Sequence, residues 1–365
     1  MYTANAKEKH DMQNTNKTDS LYVELRKLIA AGSDGAPFPS VRQLIQTYGV
    51  SLSPVTAVLR QLKEEGFLTA RPRKGYLIRK PDENAPALLL LQPHWIAREA
   101  AQIRDCYQQE AANRGFRFKH DFYDFRAESL PPLTRYTADI LVIDGIPSDE
   151  LTLEQLGMIA HSPVPVILSR AELPLRQINY VCNNNMQSGI AIAEYLHLRG
   201  HRKIGVLFCE PHLHSTDNLV AAFESRAEAN HSELAMLDCR MQPGDRPDAA
   251  IADFIEARLA GKYDFTALFA ISVYGAERAR EELTRRGRRI PEDISVITNG
   301  FDCSLFTTFN TSARDYAEAV VSLARALLDK TPVPTRQIGL KPVLYENGSV
   351  RDLTANAAAP QPPSV

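Results

Sequence analysis

Glu210, His212 and His214 stand within five positions of one another, and imidazole and carboxylate are side chains that bind zinc. A His-x-His step in a loop lacks a complete ligand set, so no metal is expected. His94 and Asp217 join the two histidines in the one group of titratable residues worth considering for acid–base chemistry. The chain contains no P-loop, complete GxGxxG, GxSxG or HExxH pattern, so neither an enzyme nor a cofactor is expected. Five scattered cysteines, Cys106, Cys182, Cys209, Cys239 and Cys303, are never spaced as CxxC and suggest neither a disulfide framework nor a zinc finger.

A second kind of chemistry lies near the N-terminus. The formal net charge is −2, yet residues 19–80 hold ten Lys or Arg against five Asp or Glu, a local +5 that leaves −7 for the rest of the chain. A compact basic module on an acidic body is the electrostatic footprint of a protein that meets phosphate at one end. No apolar run approaches the roughly 20 residues that cross a bilayer, and residues 1–18 are polar. A cytoplasmic protein with no membrane partner is expected.

The basic module must be positioned by helices. Leu21, Leu25, Leu28 and Ile29 share one face of a first helix, ended by Gly32 and Gly35. Ser40, after Pro39, is an N-cap for a second helix carrying Val41, Leu44, Ile45 and Tyr48, with Gly49 as its stop. Ser51 or Ser53 caps a third helix, in which Val55, Val58, Leu59 and Leu62 repeat the buried spacing and Pro54 is harmless in the first turn. Its opposite face offers Ser53, Thr56, Arg60 and Lys63, the layout of a major-groove recognition helix. Two short strands, Phe67-Leu68-Thr69 and Tyr76-Leu77-Ile78, flank a basic turn through Arg73, Lys74 and Gly75, a wing able to reach sugar-phosphate or a minor groove.

In order, Pro39-Ser40-Val41-Arg42, Gly49-Val50-Ser51, Glu65-Gly66-Phe67-Leu68 and Lys74-Gly75-Tyr76 resemble the GntR family of winged-helix regulators. The resemblance implies DNA contacts by Ser40, Arg42, Ser51, Ser53, Thr56, Arg60, Arg73, Lys74 and Gly75. Leu52 stands where that family usually has Arg, so the operator sequence cannot be borrowed from relatives.

Pro81 to Pro86 reads as a polar linker, and then Leu88-Leu89-Leu90-Leu91 opens a different pattern: continuous apolar runs alternating with amphipathic stretches. The further runs are Ile140–Ile143, Val164–Leu168, Ile204–Phe208, Ala267–Ile271 and Ile294–Ile297. Such alternation predicts parallel sheets covered on both faces, and about 260 residues would fill two lobes whose ligand lies at the strands' carboxyl ends. The strand-end candidates are Gln92, His94, Trp95, Arg170, His212, His214, Asp217, Asn299 and Asp302, of which Trp95, the only Trp, suits stacking on a ligand.

The segment Asn184-Asn185-Met186-Gln187-Ser188-Gly189, followed by Leu196-His197-Leu198-Arg199-Gly200-His201-Arg202-Lys203-Ile204, resembles the LacI/GalR-type effector domain, which is similar to type I periplasmic binding proteins. The resemblance implies a hinged cleft closing on a sugar or another small polar metabolite. It lacks the family's sugar-gripping Arg near Leu219–Phe223, and Ser272-Val273 replaces the usual Asn-Asp.

The expected protein is multidomain. Residues 1–18 form a disordered tail, 19–80 a winged helix-turn-helix (α+β), 81–86 a linker, 87–348 a two-lobed α/β effector-binding and dimerisation domain, and 349–365 a second disordered tail. Its expected partners are double-stranded operator DNA, a small-molecule effector and a second copy in a homodimer. The expected function is a transcriptional regulator, a repressor by preference, whose operator affinity the effector modulates. The alternative keeps DNA binding but makes the body a ligand-free dimerisation or protein-interaction module.

Overall fold

The computed structural model describes residues 21–64, 66–71, 75–79, 84–94, 98–124, 130–145, 151–171, 178–242, 245–301, 303–332 and 336–354. The basic head comprises α1 (21–31), β1 (Pro37–Phe38), α2 (Val41–Tyr48), α3 (Leu52–Glu64), β2 (Leu68–Arg71) and β3 (Gly75–Ile78). Its three strands pair antiparallel in the order β1-β3-β2. Leu21, Leu25 and Ile29 of α1 are buried in one core with Leu44, Val55, Val58, Leu59, Leu62, Leu68 and Ile78. Leu28, expected on the same face, is 38% exposed because the i, i+4, i+8 row is centred to one side of it.

Local chemistry sets the helix ends. Ser40 and Gln43 form a reciprocal capping box at α2, and Gly49 ends that helix at φ +60°, a backbone conformation that costs a side-chain-bearing residue more. Helix α3 begins at Leu52, so Ser51 precedes it, while Ser53 and Pro54 both lie in its first turn.

Two six-stranded sheets make the body. The first, ordered β14-β8-β7-β6-β4-β5 and parallel throughout, contains β4 (Ala87–Pro93), β5 (Arg117–Tyr123), β6 (Ile140–Asp144), β7 (Val166–Ser169), β8 (Asn179–Asn183) and β14 (Gln337–Leu340). Helices α4 (Arg98–Asn113) and α10 (Ala313–Leu328) cover one face, and α5 (Leu153–Ala160) packs on the other. The second sheet, β10-β9-β11-β12-β13-β15, contains β9 (Lys203–Phe208), β10 (Glu233–Asp238), β11 (Ala267–Ala270), β12 (Ser295–Thr298), β13 (Thr307–Asn310) and β15 (Val343–Tyr345), of which only β15 is antiparallel. Helices α6 (Asn185–Leu198) and α7 (His214–Ala229) lie on one side of it, with α8 (Asp248–Leu259) and α9 (Val273–Arg285) on the other.

The chain passes between the lobes three times, after β8, β13 and β14, and the crossings are bonded to one another. Asn183 Nδ2 donates to Asn310 Oδ1 at 2.9 Å, and the Asn184 N–H donates to the Leu340 carbonyl at 2.9 Å. Crossings bonded to one another in this way form a hinge about which whole lobes can rotate.

The C-terminal boundary differs from expectation, because residues 349–354 are part of the body. Ser349 is buried and bridges β12 to β13, donating to the Val296 carbonyl at 2.6 Å and accepting from the Thr307 N–H at 2.7 Å. The Leu353 N–H bonds the Arg199 carbonyl. The head rests on the first lobe through the end of α3: Lys63 Nζ lies 3.1 Å from Asp105 Oδ2 of α4, and Gln108 Nε2 donates to the Lys63 carbonyl. Among the described residues no helix is long and apolar enough to cross a membrane.

Candidate DNA-reading surface and effector cleft

With Val55, Val58, Leu59 and Leu62 committed to the core, α3 leaves Ser53, Thr56 and Arg60 exposed on its other side. Ser40, Arg42, Ser51 and Gly75 are also exposed. Thr56 Oγ1 bonds back to the carbonyls of Leu52 and Ser53, both at 2.9 Å, which fixes its rotamer. Lys63, read from the sequence as part of this face, is instead turned to Asp105. Leu52 is 57% exposed, so an apolar side chain occupies the start of the surface. Arg73 and Lys74 of the wing lie outside the described residues.

At the carboxyl ends of β4, β6 and β7 the first lobe gathers a polar cluster around Asp144, which is fully buried. Arg170 grips that carboxylate with both arms, Nε to Oδ1 at 2.8 Å and Nη2 to Oδ2 at 2.9 Å. Gln92 Nε2 adds a bond to Oδ2 at 3.0 Å and Ser169 Oγ one to Oδ1 at 2.8 Å. Tyr107 bonds Ser169 Oγ, and the Tyr316 hydroxyl accepts from the Arg170 N–H at 2.7 Å while donating to the Val181 carbonyl. Burial disfavours the Arg170 cation, but the adjacent Asp144 more than offsets it and raises its pKa. Burial likewise pushes the Tyr107 and Tyr316 phenols up, so both stay neutral donors. Arg170 sits at φ +61° with its side chain 28% exposed, so the backbone is held in an unfavourable region to aim the guanidinium at Asp144 and the strand ends. Gln92, at 0% exposed, also bonds the Ala100 carbonyl, and its Oε1 has no hydrogen-bond partner among the described residues.

The second lobe presents different groups. At the end of β12, Thr298 Oγ1 and Asn299 Oδ1 are buried atoms without partners among the described residues. Glu210 follows β9, where burial raises its carboxyl pKa against a hydrogen bond from Ser272. His212 is clamped in the next loop: Nδ1 lies 2.7 Å from Asp217 Oδ1, Nε2 lies 3.1 Å from Asp238 Oδ1, and the ring packs on Phe208 with centroids 4.2 Å apart. Burial opposes the imidazolium, but the bonds to Asp238 and Asp217 outweigh it and raise the pKa. A folded pKa above the unfolded value of about 6.5 gives stabilisation that is full below pH 6.5 and lost as pH rises through the raised value. All three groups are partly exposed, so the contribution should stay under about 1 kcal/mol. Melting curves of the wild type and His212→Gln from pH 5 to 9 should differ most at the acid end and converge as pH rises. A gap that widens with pH would contradict the assignment.

The structure thus brings Gln92 and Arg170 onto one carboxylate and pairs His212 with Asp217. It leaves His94 exposed against Phe122 and puts His214 at the start of α7. Trp95 and Asp302 lie outside the described residues. Asp144, Ser169, Tyr107 and Tyr316 were not foreseen. The available signal was an Asp closing the apolar run Ile140–Ile143, just before Gly145. Among the described residues no group of three or more His, Cys, Asp or Glu could hold a metal ion.

A winged helix-turn-helix on a hinged pair of parallel α/β lobes defines a DNA-binding transcription regulator with an effector-type body. Family models agree with both parts: residues 17–78 match bacterial regulatory proteins of the gntR family, and residues 193–350 match the periplasmic binding protein-like domain. The chain thus joins a GntR-type head to a periplasmic-binding-protein-like body.

Similar solved structures include a LacI transcriptional regulator from a Rhodococcus species, with 20% identity and a TM-score of 0.60, covering 73% of this chain and 99% of that one. Another is a periplasmic binding protein/LacI transcriptional regulator from Alkaliphilus metalliredigens QYMF complexed with D-xylulofuranose, with 18% identity and a TM-score of 0.58, covering 72% and 98%. A third is the LacI family regulator CCPA from Weissella paramesenteroides with bound sucrose, with 16% identity and a TM-score of 0.56, covering 73% and 99%. A comparison with curated proteins found no match.

Proposed function

We propose that this protein is a sequence-specific repressor whose operator affinity is set by a small polar ligand, a sugar or a similar polyol, closing the cleft between the lobes. The observation that carries the reading is the seating of α3 on α4 of the first lobe, the same helix that supplies Tyr107 to the Asp144 cluster. A change at the cleft therefore has a short packed route to the recognition helix. Ligand hydroxyls would accept from Arg170, and would donate to Asn299 Oδ1 from the facing lobe. Two of the similar structures hold sugars, which supports this ligand class. In a homodimer paired through the body, two heads would meet a two-fold-related operator, and closure would alter their separation.

Ser53, Thr56 and Arg60 would read base edges, while Ser40, Arg42, Ser51 and the wing at Gly75 set register on phosphates. Arg60→Ala should weaken binding to a selected site by about 1 to 3 kcal/mol and relax preference at one base position, as measured by anisotropy titration. Arg42→Ala should instead weaken all sequences alike.

The ligand half is tested by thermal denaturation against a panel of mono- and disaccharides. A ligand at a hundred times its Kd stabilises by about 2.7 kcal/mol, and Arg170→Ala should abolish the response. Stabilisation that survives in Arg170→Ala would place the ligand elsewhere. A body that pairs chains but answers to no sugar would match the dimerisation alternative.

A further inference from the structure

Between the head and the first lobe lies a groove of about 1420 Å³. Its walls carry Arg26, Lys27 and Arg79 from the head and Arg117, Lys119 and Arg135 from the body; Lys27 is paired with Glu24, and Arg135 lies 4.0 Å from Asp121, the one acidic side chain among the described lining residues. Arg26 stacks over Phe67, Arg79 Nε donates to Thr69 Oγ1 at 3.4 Å, and Lys119 Nζ bonds the Thr137 carbonyl at 2.9 Å. Among the described residues Arg26, Arg79 and Arg117 have no carboxylate within ion-pair distance, although the whole chain is net acidic. Arg117 Nε and His120 Nε2 are buried atoms with no hydrogen-bond partner among the described residues. Cations gathered in one recess repel one another, and an entering anion relieves that repulsion.

We infer that this groove is a binding site for a small oligophosphate, separate from both the effector cleft and the DNA surface. Guanidinium forks bond phosphate oxygens two at a time, and a chain of two or three phosphates offers oxygens to the cations of both walls. None of Ser40, Arg42, Ser53, Thr56 or Arg60 lines the groove, which argues for a small ligand rather than the DNA backbone. Because the walls belong to different domains, an occupant would clamp the head onto the body and restrict its freedom to follow an operator.

The test is calorimetric titration of sodium tripolyphosphate into the full-length protein, against sodium chloride of matched ionic strength. Saturable binding is expected, weakened about tenfold or more in the Arg117→Gln/Lys119→Gln double variant. Arg79→Gln, an exposed change on the head, should weaken it as well and guards against misfolding of the double variant. The Arg42→Ala/Arg60→Ala variant should lose DNA yet keep tripolyphosphate, so failure of this site and failure of the DNA reading remain distinguishable. The inference is overturned by heats no larger than the chloride control, by wild-type binding in the groove variants, or by loss of binding in the DNA-surface variant.

Discussion

Asp144→Ala is expected to destabilise the body by about 3 to 5 kcal/mol, the usual cost of stranding one member of a buried ion pair. The carboxylate is 0% exposed and accepts from Arg170, Gln92 and Ser169, so its removal leaves four hydrogen bonds unmade around a cation that cannot lose its proton. Urea denaturation at neutral pH should show a lower midpoint. The Asp144→Ala/Arg170→Ala double variant should lose less than the sum of the two single changes, because the second removes the charge that the first exposed. Strict additivity would mean that the pair is not coupled. Asp144→Ala should also lose any sugar-induced stabilisation, since the Arg170 guanidinium would no longer be held by that carboxylate.

Gly189→Ala carries the second large effect. Helix α6 approaches α7 so closely that a Cβ on Gly189 would lie 2.2 Å from the Leu219 carbonyl oxygen and 2.8 Å from the Phe223 nitrogen. Both are backbone atoms, so no rotamer change relieves the contact and the helices must part. Overpacking of this kind costs about 1 to 3 kcal/mol, offset in part by the roughly 1 kcal/mol that Ala gains over Gly inside a helix. The melting temperature should fall by several degrees. Gly157→Ala in α5 is the matched control: nothing lies within 4 Å of its added methyl, so the propensity gain should appear alone. Equal responses at the two positions would remove the packing explanation.

These cases show which parts of the molecule a one-dimensional pattern discloses. The head was legible because helix spacing sorts Val55, Val58, Leu59 and Leu62 from Ser53, Thr56 and Arg60 without knowledge of any partner element. Strands β4, β6, β7, β9, β11 and β12 were legible as continuous apolar runs, since each has neighbours on both sides and helices on both faces. Strands β5, β10 and β14 were not, because they close the sheet edges and mix polar with apolar residues, as Arg117-Phe118-Lys119-His120-Asp121 does. The end of the body is not legible at Ser349, because a short polar residue gives no sign in the sequence that it bridges Val296 and Thr307.

The cluster at the first lobe was half visible. Gln92 and Arg170 follow apolar runs and so stand at strand ends by position alone. Their shared partner Asp144 is 52 residues from one and 26 from the other, and only the β4-β6-β7 register brings the three together. The hinge bond between Asn183 and Asn310, 127 residues apart, was invisible for the same reason.

The central claim, a DNA-reading head coupled to a sensing body, is tested most directly by presenting the full-length protein with random-sequence and genomic DNA fragments across a salt series. Electrostatic binding falls steeply with salt and carries no sequence, whereas a specific reader retains a preferred subset. Enrichment of a two-fold-related site is expected, persisting at the higher salt concentrations and lost in Arg60→Ala. Salt-sensitive binding without a preferred site, or enrichment that Arg60→Ala leaves intact, would contradict it.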